Sequence, residues 1–146
     1  MLSIQEARER LPEKFMENMY EMFSPGTVDK IVAGMISDRY TTLRVNTIKY
    51  NIQDLMRYFK ENNIKFERVS WYNDALIIKN VKEKEIQKLD IYEKGYVYIQ
   101  SLPSMVPPIV LNPKEGEKVL DLTAAPGSKT TQMAAAMNNN GQIVAN

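Results

Sequence analysis

The sequence contains no cysteine and no histidine in its 146 residues. Those two absences exclude disulfides, Cys or His zinc sites, Ser-His-Asp and Cys-His machinery, and any histidine proton shuttle within the chain. An excess of charge of either sign is also missing. Lys and Arg number 19 against 18 Asp and Glu, a net charge of +1, so bulk electrostatics points to neither nucleic acid nor membrane. No apolar run approaches the ~20 residues that a membrane helix needs. The opening MLSIQEARERLPEK carries charge from Glu6 onward and holds no signal-peptide core. No membrane association, no metal site and a cytoplasmic location are therefore expected. The remaining chemistry belongs to carboxylates, lysines, hydroxyls, backbone dipoles or a bound cofactor.

The rest of the composition is that of an ordinary globular chain, 44% hydrophobic and 25% charged. Nine methionines read as flexible core fillers. Residues 1–40 form a helical lead-in. Leu11, Phe15, Met19, Met22 and Phe23 are spaced as one buried helix face, with Pro12 in the first turn. Ser24 is placed to cap a second helix that begins at Pro25, with Val28, Ile31, Val32, Met35 and Ile36 as its stripe. Two helices packed as a hairpin is the economical reading.

Residues 41–100 change pattern. Strands are expected at 41–46, 66–71, 75–79 and 96–100, with helices from Ile52 (capped by Asn51) and over 82–89. The order is β-α-β-β-α-β, ferredoxin-like or RNA-recognition-motif-like. That fold warrants no function by itself. Tyr96 and Tyr98 faintly echo a base-stacking platform, but half-buried strand residues or a domain contact are favoured. A basic tilt over 38–68, seven Lys or Arg against four acids, is ordinary for a solvated face.

Residues 101–117 are an apolar connector interrupted by prolines, and 118–146 open a new unit. Val119–Leu122 reads as a buried parallel strand. It runs through Thr123-Ala124-Ala125-Pro126-Gly127 into a helix starting near Ser128 with Met133, Ala134 and Met137 on one side, and Gln142–Ala145 as a second strand. This is the first crossover of an open α/β sheet, whose ligands bind at the carboxyl ends of strands. Small residues let a ligand approach the backbone, and the helix start offers free N–H groups to an anion. Asp121 can fix a loop N–H or a ligand amine. A P-loop needs an upstream glycine and a Gly-Lys pair, and a dinucleotide fingerprint needs three glycines; neither fits. By pattern alone, a purely structural turn remains open.

The segment DLTAAPGSKT (121–130) resembles the S-adenosylmethionine motif of the Sun-type RNA (cytosine-5) methyltransferases. LPEKF near the start, LRVNT (43–47), YIQSLPSMVP (98–107) and the terminal MNNNGQIVAN match that family's order and spacing as well. The resemblance implies that Thr123, Ala124, Ala125, Pro126, Gly127, Ser128 and Lys129 line a cofactor pocket. Thr123 and Ser128 depart from the commoner Cys and Gly, and both are small. It further implies that Arg44 and Asn46 either face RNA or tie the small domain to the catalytic one, with the tie slightly favoured. Gln100 and Ser101 are expected to support the pocket.

The family's chemistry uses one cysteine thiolate to attack the cytosine ring and a second for release, and this chain has neither. The expectation is an amino-terminal part of such an enzyme, α+β and then α/β, acting on rRNA or tRNA in its parent, with no catalytic residue and a partial cofactor site. Inactivity alone, little or no cofactor affinity, and self-association through the edge of an incomplete sheet are expected too. The rivals are a non-catalytic RNA- or protein-binding module that uses the small domain alone, and an intact small S-adenosylmethionine-binding protein of another type.

Overall fold

A computed structural model describes residues 2–37 and 39–146. Met1 and Asp38, both inside the expected lead-in, lie outside the described residues. The chain divides into two compact units, residues 1–39 and 40–146.

The first unit holds three helices rather than two: α1 (Ile4–Arg10), α2 (Glu13–Met22) and α3 (Pro25–Ile36). The charged α1 escapes an apolar-stripe reading because it buries only Ala7. It is set instead by a capping box, in which the Ser3 hydroxyl accepts from the Glu6 N–H while Glu6 accepts from the Ser3 N–H. The expected stripe of α2 is corrected. Met16 and Met19 are its buried pair, while Phe15, Met22 and Phe23 are exposed. Pro12 precedes α2 as its cap residue. Pro25 starts α3 with Ser24 at the N-cap position as expected, but the Ser24 side chain makes no capping bond to the backbone; Val28 and Val32 complete the core with Ala7, Met16 and Met19.

In the second unit, β1 (Thr41–Val45), β2 (Phe66–Arg68), β3 (Ala75–Ile78) and β4 (Val97–Ile99) form one antiparallel sheet in the order β2-β3-β1-β4. That order is the ferredoxin-like one. The strands at 66–71 and 96–100 are shorter than expected, and the helix over 82–89 is two single turns, α5 (Glu83–Ile86) and α6 (Asp90–Glu93). The longer crossover helix, α4 (Ile52–Glu61), starts where Asn51 Oδ1 accepts from the Asp54 N–H at 2.8 Å. Strand alternation sends Leu43 and Val45 into a core with Leu55, Phe59, Leu76, Ile78 and Ile86. Arg44 therefore points to the other face, with Tyr98 and Ala75 as its cross-strand neighbours.

That other face is covered. Helix α7 (Leu102–Leu111) crosses it, packing Met105 against Val69 and Ala75. Pro107 and Pro108 sit inside α7 and cannot donate to carbonyls four residues back. One freed carbonyl, Ser104, accepts from Gln100 Nε2 at 3.1 Å. The connector is thus a helix held by a side chain where its backbone bonds lapse.

Beyond it, β5 (Lys118–Asp121) and β6 (Gln142–Ala145) pair in parallel through the crossover α8 (Ser128–Ala136). The first strand begins and ends one residue earlier than expected, which leaves Leu122 in the turn, exposed at 67%. Helix α8 packs on β6, and Gly141 permits the close return: a Cβ there would lie 2.7 Å from the Glu117 carbonyl.

Candidate functional site

The Asp121–Thr131 segment is built from small residues held by their own polar groups. Asp121, buried at the end of β5, uses both carboxylate oxygens. Oδ1 accepts from the Thr123 N–H at 3.2 Å, and Oδ2 accepts from the Thr130 hydroxyl at 2.6 Å. One side chain therefore clamps the entry of the turn to the first turn of α8. The Ala124 N–H donates to the Asn146 carbonyl at 3.0 Å, which joins the turn to the end of β6. Gly127 adopts φ +101°, a left-handed conformation that glycine accepts without strain, and precedes α8 without a side-chain cap.

Because the Thr131 N–H makes the bond back to the Gly127 carbonyl, Ser128, Lys129 and Thr130 keep N–H groups without an intrahelical acceptor. Thr123, Ala125 and Pro126 are exposed, and Ala124, Gly127, Ser128 and Lys129 are half-buried. This donor set fits a ligand that carries an anionic or hydrogen-bonding end and needs close approach to backbone.

The back of the turn rests on the small sheet. Arg44 is 1% exposed. Its Nε donates to Gln100 Oε1 at 2.8 Å, and its Nη2 donates to the Ser128 carbonyl at 3.1 Å and the Thr131 hydroxyl at 2.7 Å. The guanidinium lies 5.2 Å from the centre of the Tyr98 ring, and the Tyr98 hydroxyl donates to the Pro126 carbonyl at 3.4 Å. Burial pushes the Arg44 pKa down, and no carboxylate hydrogen-bonds it among the described residues.

Gln100 completes a buried relay, donating to Gln132 Oε1 at 2.9 Å, while Gln132 Nε2 donates to the Met105 carbonyl at 2.9 Å. Two carbonyls of the turn, those of Pro126 and Ser128, are thus held by the small sheet, while the N–H groups of Ser128, Lys129 and Thr130 are left without an acceptor. Thr123 through Lys129 lie together along the turn, with Arg44 behind them. Asn46 does not join them: its Nδ2 donates to the Gly95 carbonyl at 3.0 Å within the small sheet's own loops. Ser101 marks the start of α7 without a side-chain cap bond.

The first strand-helix-strand and the small sheet match two family models. Residues 11–102 match the N-terminal domain of 16S rRNA methyltransferase RsmF, and residues 108–146 match 16S rRNA methyltransferase RsmB/F. The chain belongs to the RsmF family. Its members are S-adenosylmethionine-dependent RNA cytosine-5 methyltransferases of the Sun type.

Among relatives of this RsmF-family chain, ribosomal RNA small subunit methyltransferase F of Shewanella oneidensis is 39% identical over 122 residues, covering 82% of this chain and 26% of that protein. The tRNA (cytosine(49)-C(5))-methyltransferase of Pyrococcus abyssi is 40% identical over 106 residues, 72% of this chain and 33% of that protein. A crystal structure of a methyltransferase homolog from Pyrococcus horikoshii superposes with a TM-score of 0.80 at 32% identity, over 99% of this chain and 48% of that one. The chain spans about a quarter to a third of the length of these curated relatives.

Several contributors to the site escaped the sequence reading. Thr130, Thr131 and Gln132 are recognisable only through their partners, whereas Tyr98 follows the favoured reading, half-buried and in contact with Arg44 and Pro126. Gln132 gave the one usable signal, a long polar side chain beside Met133 on the face that α8 buries. The aromatic-platform reading finds no support in the geometry. Tyr96 stacks on Tyr50 at 4.6 Å, and Tyr98 lies against Arg44.

Proposed function

We propose that this RsmF-family chain is the amino-terminal part of an enzyme that transfers a methyl group from S-adenosylmethionine to C5 of cytosine in rRNA or tRNA. The observation that carries the reading is the turn from Asp121 to Ser128, with N–H groups open at the start of α8 and the Ser128 and Pro126 carbonyls held by Arg44 and Tyr98. S-adenosylmethionine supplies an electrophilic methyl group when bound. Thr123, Ala124, Ala125, Pro126, Gly127, Ser128 and Lys129 are the residues of this chain that hold it, as one part of the site.

Asp121 keeps the turn in shape, and Arg44 with Gln100 acts as the tie between small sheet and turn. The thiolate that such chemistry needs must come from outside these 146 residues, which contain no cysteine. The functional segments are 1–40, 41–100, 101–117 and 118–146, the last being the start of the methyltransferase domain. RNA is the macromolecular partner, and a cytoplasmic location follows from that partner; no described helix is long and apolar enough to cross a membrane.

Photo-crosslinking with methyl-tritiated S-adenosylmethionine tests this directly. The label is expected in a peptide within 118–131, without transfer of tritium to cytosine-containing RNA by the chain alone. Label confined to peptides outside 118–131 would overturn the cofactor assignment. Methyl transfer above a no-protein control would overturn the assignment of chemistry to residues elsewhere.

A further inference from the structure

A second concave feature lies in the same unit and is lined by none of the residues of the cofactor turn. It is a cleft of about 280 Å³ between the β2–β3 connection and helices α7 and α8. Thr47, Tyr72, Asp74, Asn112 and Gln132 supply its polar wall, and the helices supply an apolar floor. Asp74 is half-buried, and no described residue donates a hydrogen bond to its carboxylate. Burial pushes its pKa up, and the positive charge of Arg44 offsets part of that rise. A half-buried carboxylate without a donor is an acceptor in need of a partner, because leaving it unmatched costs desolvation energy with no return.

Beside Tyr72 of the cleft wall stands the only tryptophan of the chain, Trp71. Trp71 is 49% exposed, and its ring stacks on Tyr72, with centroids 6.3 Å apart and planes 14° from parallel. Tyr72 belongs to the cleft wall, so one aromatic pair runs from the wall to solvent. The exposed Arg68 ends β2 and reaches onto the connection, where its guanidinium donates to Asn73 Oδ1 at 3.3 Å. An open indole with a neighbouring cation is the equipment that single-stranded nucleic acid uses for base stacking. A carboxylate acceptor in a polar cleft selects among bases. It accepts from the exocyclic amine of cytosine, adenine or guanine, and uracil has no such amine.

We propose that this cleft receives an unpaired RNA base bearing an exocyclic amine (cytosine, adenine or guanine, in preference to uracil), with Asp74 accepting from that amine and Trp71 stacking the adjoining base. The inference rests on the RNA-methyltransferase reading and deepens it by naming which bases the small sheet holds. Because Trp71 is the sole tryptophan, its fluorescence reports on this site alone.

The test titrates the full chain with single-stranded decamers of cytidine, adenosine or uridine at one fixed salt concentration, following Trp71 fluorescence and the anisotropy of labelled RNA. Oligocytidine and oligoadenosine are expected to change the Trp71 emission and to bind about tenfold more tightly than oligouridine. D74N is expected to reduce that preference to within about twofold. W71A, followed by anisotropy, is expected to weaken binding of all three by about tenfold.

RNA binding that leaves Trp71 emission unchanged, or equal affinity for the three decamers in the native chain, would overturn the site while leaving the RNA reading in place. No binding of any RNA by anisotropy would overturn both. The comparison within the native chain needs no variant, so a D74N chain that fails to fold does not rescue the proposal.

Discussion

The two sheets of the second unit are built to different degrees of completion. The antiparallel sheet is covered on both faces, by α4 to α6 with a core of Leu43, Leu55, Phe59 and Leu76, and by α7 packed on Val69 and Ala75. The parallel pair β5–β6 has α8 packed against it, yet Leu120 and Val144 remain 61% and 54% exposed. The first is a finished scaffold, and the second is a partly covered platform that carries the turn proposed to hold the cofactor. The contrast shows how a flexible turn of small residues is kept in one shape. Its own strands contribute little enclosure, so its carbonyls are held from behind by an arginine belonging to the enclosed sheet.

The largest effect expected from this contrast is in the enclosed core. Phe59→Ala should cost about 3–5 kcal/mol of unfolding free energy, measured by urea denaturation, because a fully buried ring leaves a cavity that its neighbours cannot fill. A loss below about 1 kcal/mol would mean that the antiparallel core is not the scaffold.

Arg44→Ala comes next, at roughly 2–3 kcal/mol. It removes the donor shared by Gln100, Ser128 and Thr131 and leaves the buried Gln100 Oε1 unmatched. Its signature is regional: amide hydrogen exchange should rise over 124–131 while β1 and β3 stay protected. Uniform loss of protection would make Arg44 a fold residue with no special tie to the turn.

The smallest effect belongs to the open face. Leu120→Thr and Val144→Thr should each change stability by no more than about 0.5 kcal/mol, since both side chains are already in water. The same pair should weaken concentration-dependent self-association in sedimentation velocity, because a contiguous exposed apolar face invites a partner. Sedimentation as a strict monomer before and after substitution would remove self-association from the account.

The sequence revealed the elements whose signals are local. Asn51 before Ile52, Ser24-Pro25, and the alternation around Leu43 and Val45 all work through nearest neighbours, and the structure places them as read. The strand-turn-helix around Asp121 was legible because small residues at a strand's end have few other uses. What escaped was whatever depends on distant partners. The Arg44 tie and the support from Gln100 entered only through the family resemblance; nothing local indicates that the tie reaches Ser128 across 84 residues, that Gln100 replaces a donor lost to Pro108, or that Met16 rather than Phe15 turns inward. Helix α1 escaped for the opposite reason: its signal is a capping box on a charged segment with almost no apolar face.

The central claim is that the turn at the end of β5 is a cofactor-binding surface held by the small sheet. The most direct test is an amide-resolved NMR titration of the isotope-labelled chain with S-adenosylmethionine. Weak, progressive shifts are expected to concentrate on Thr123 to Lys129, with smaller ones at Thr131 and Gln132 and none in the core around Leu55 and Phe59. Shifts spread evenly over the surface, or absent from Thr123 to Lys129 at millimolar ligand, would contradict the claim.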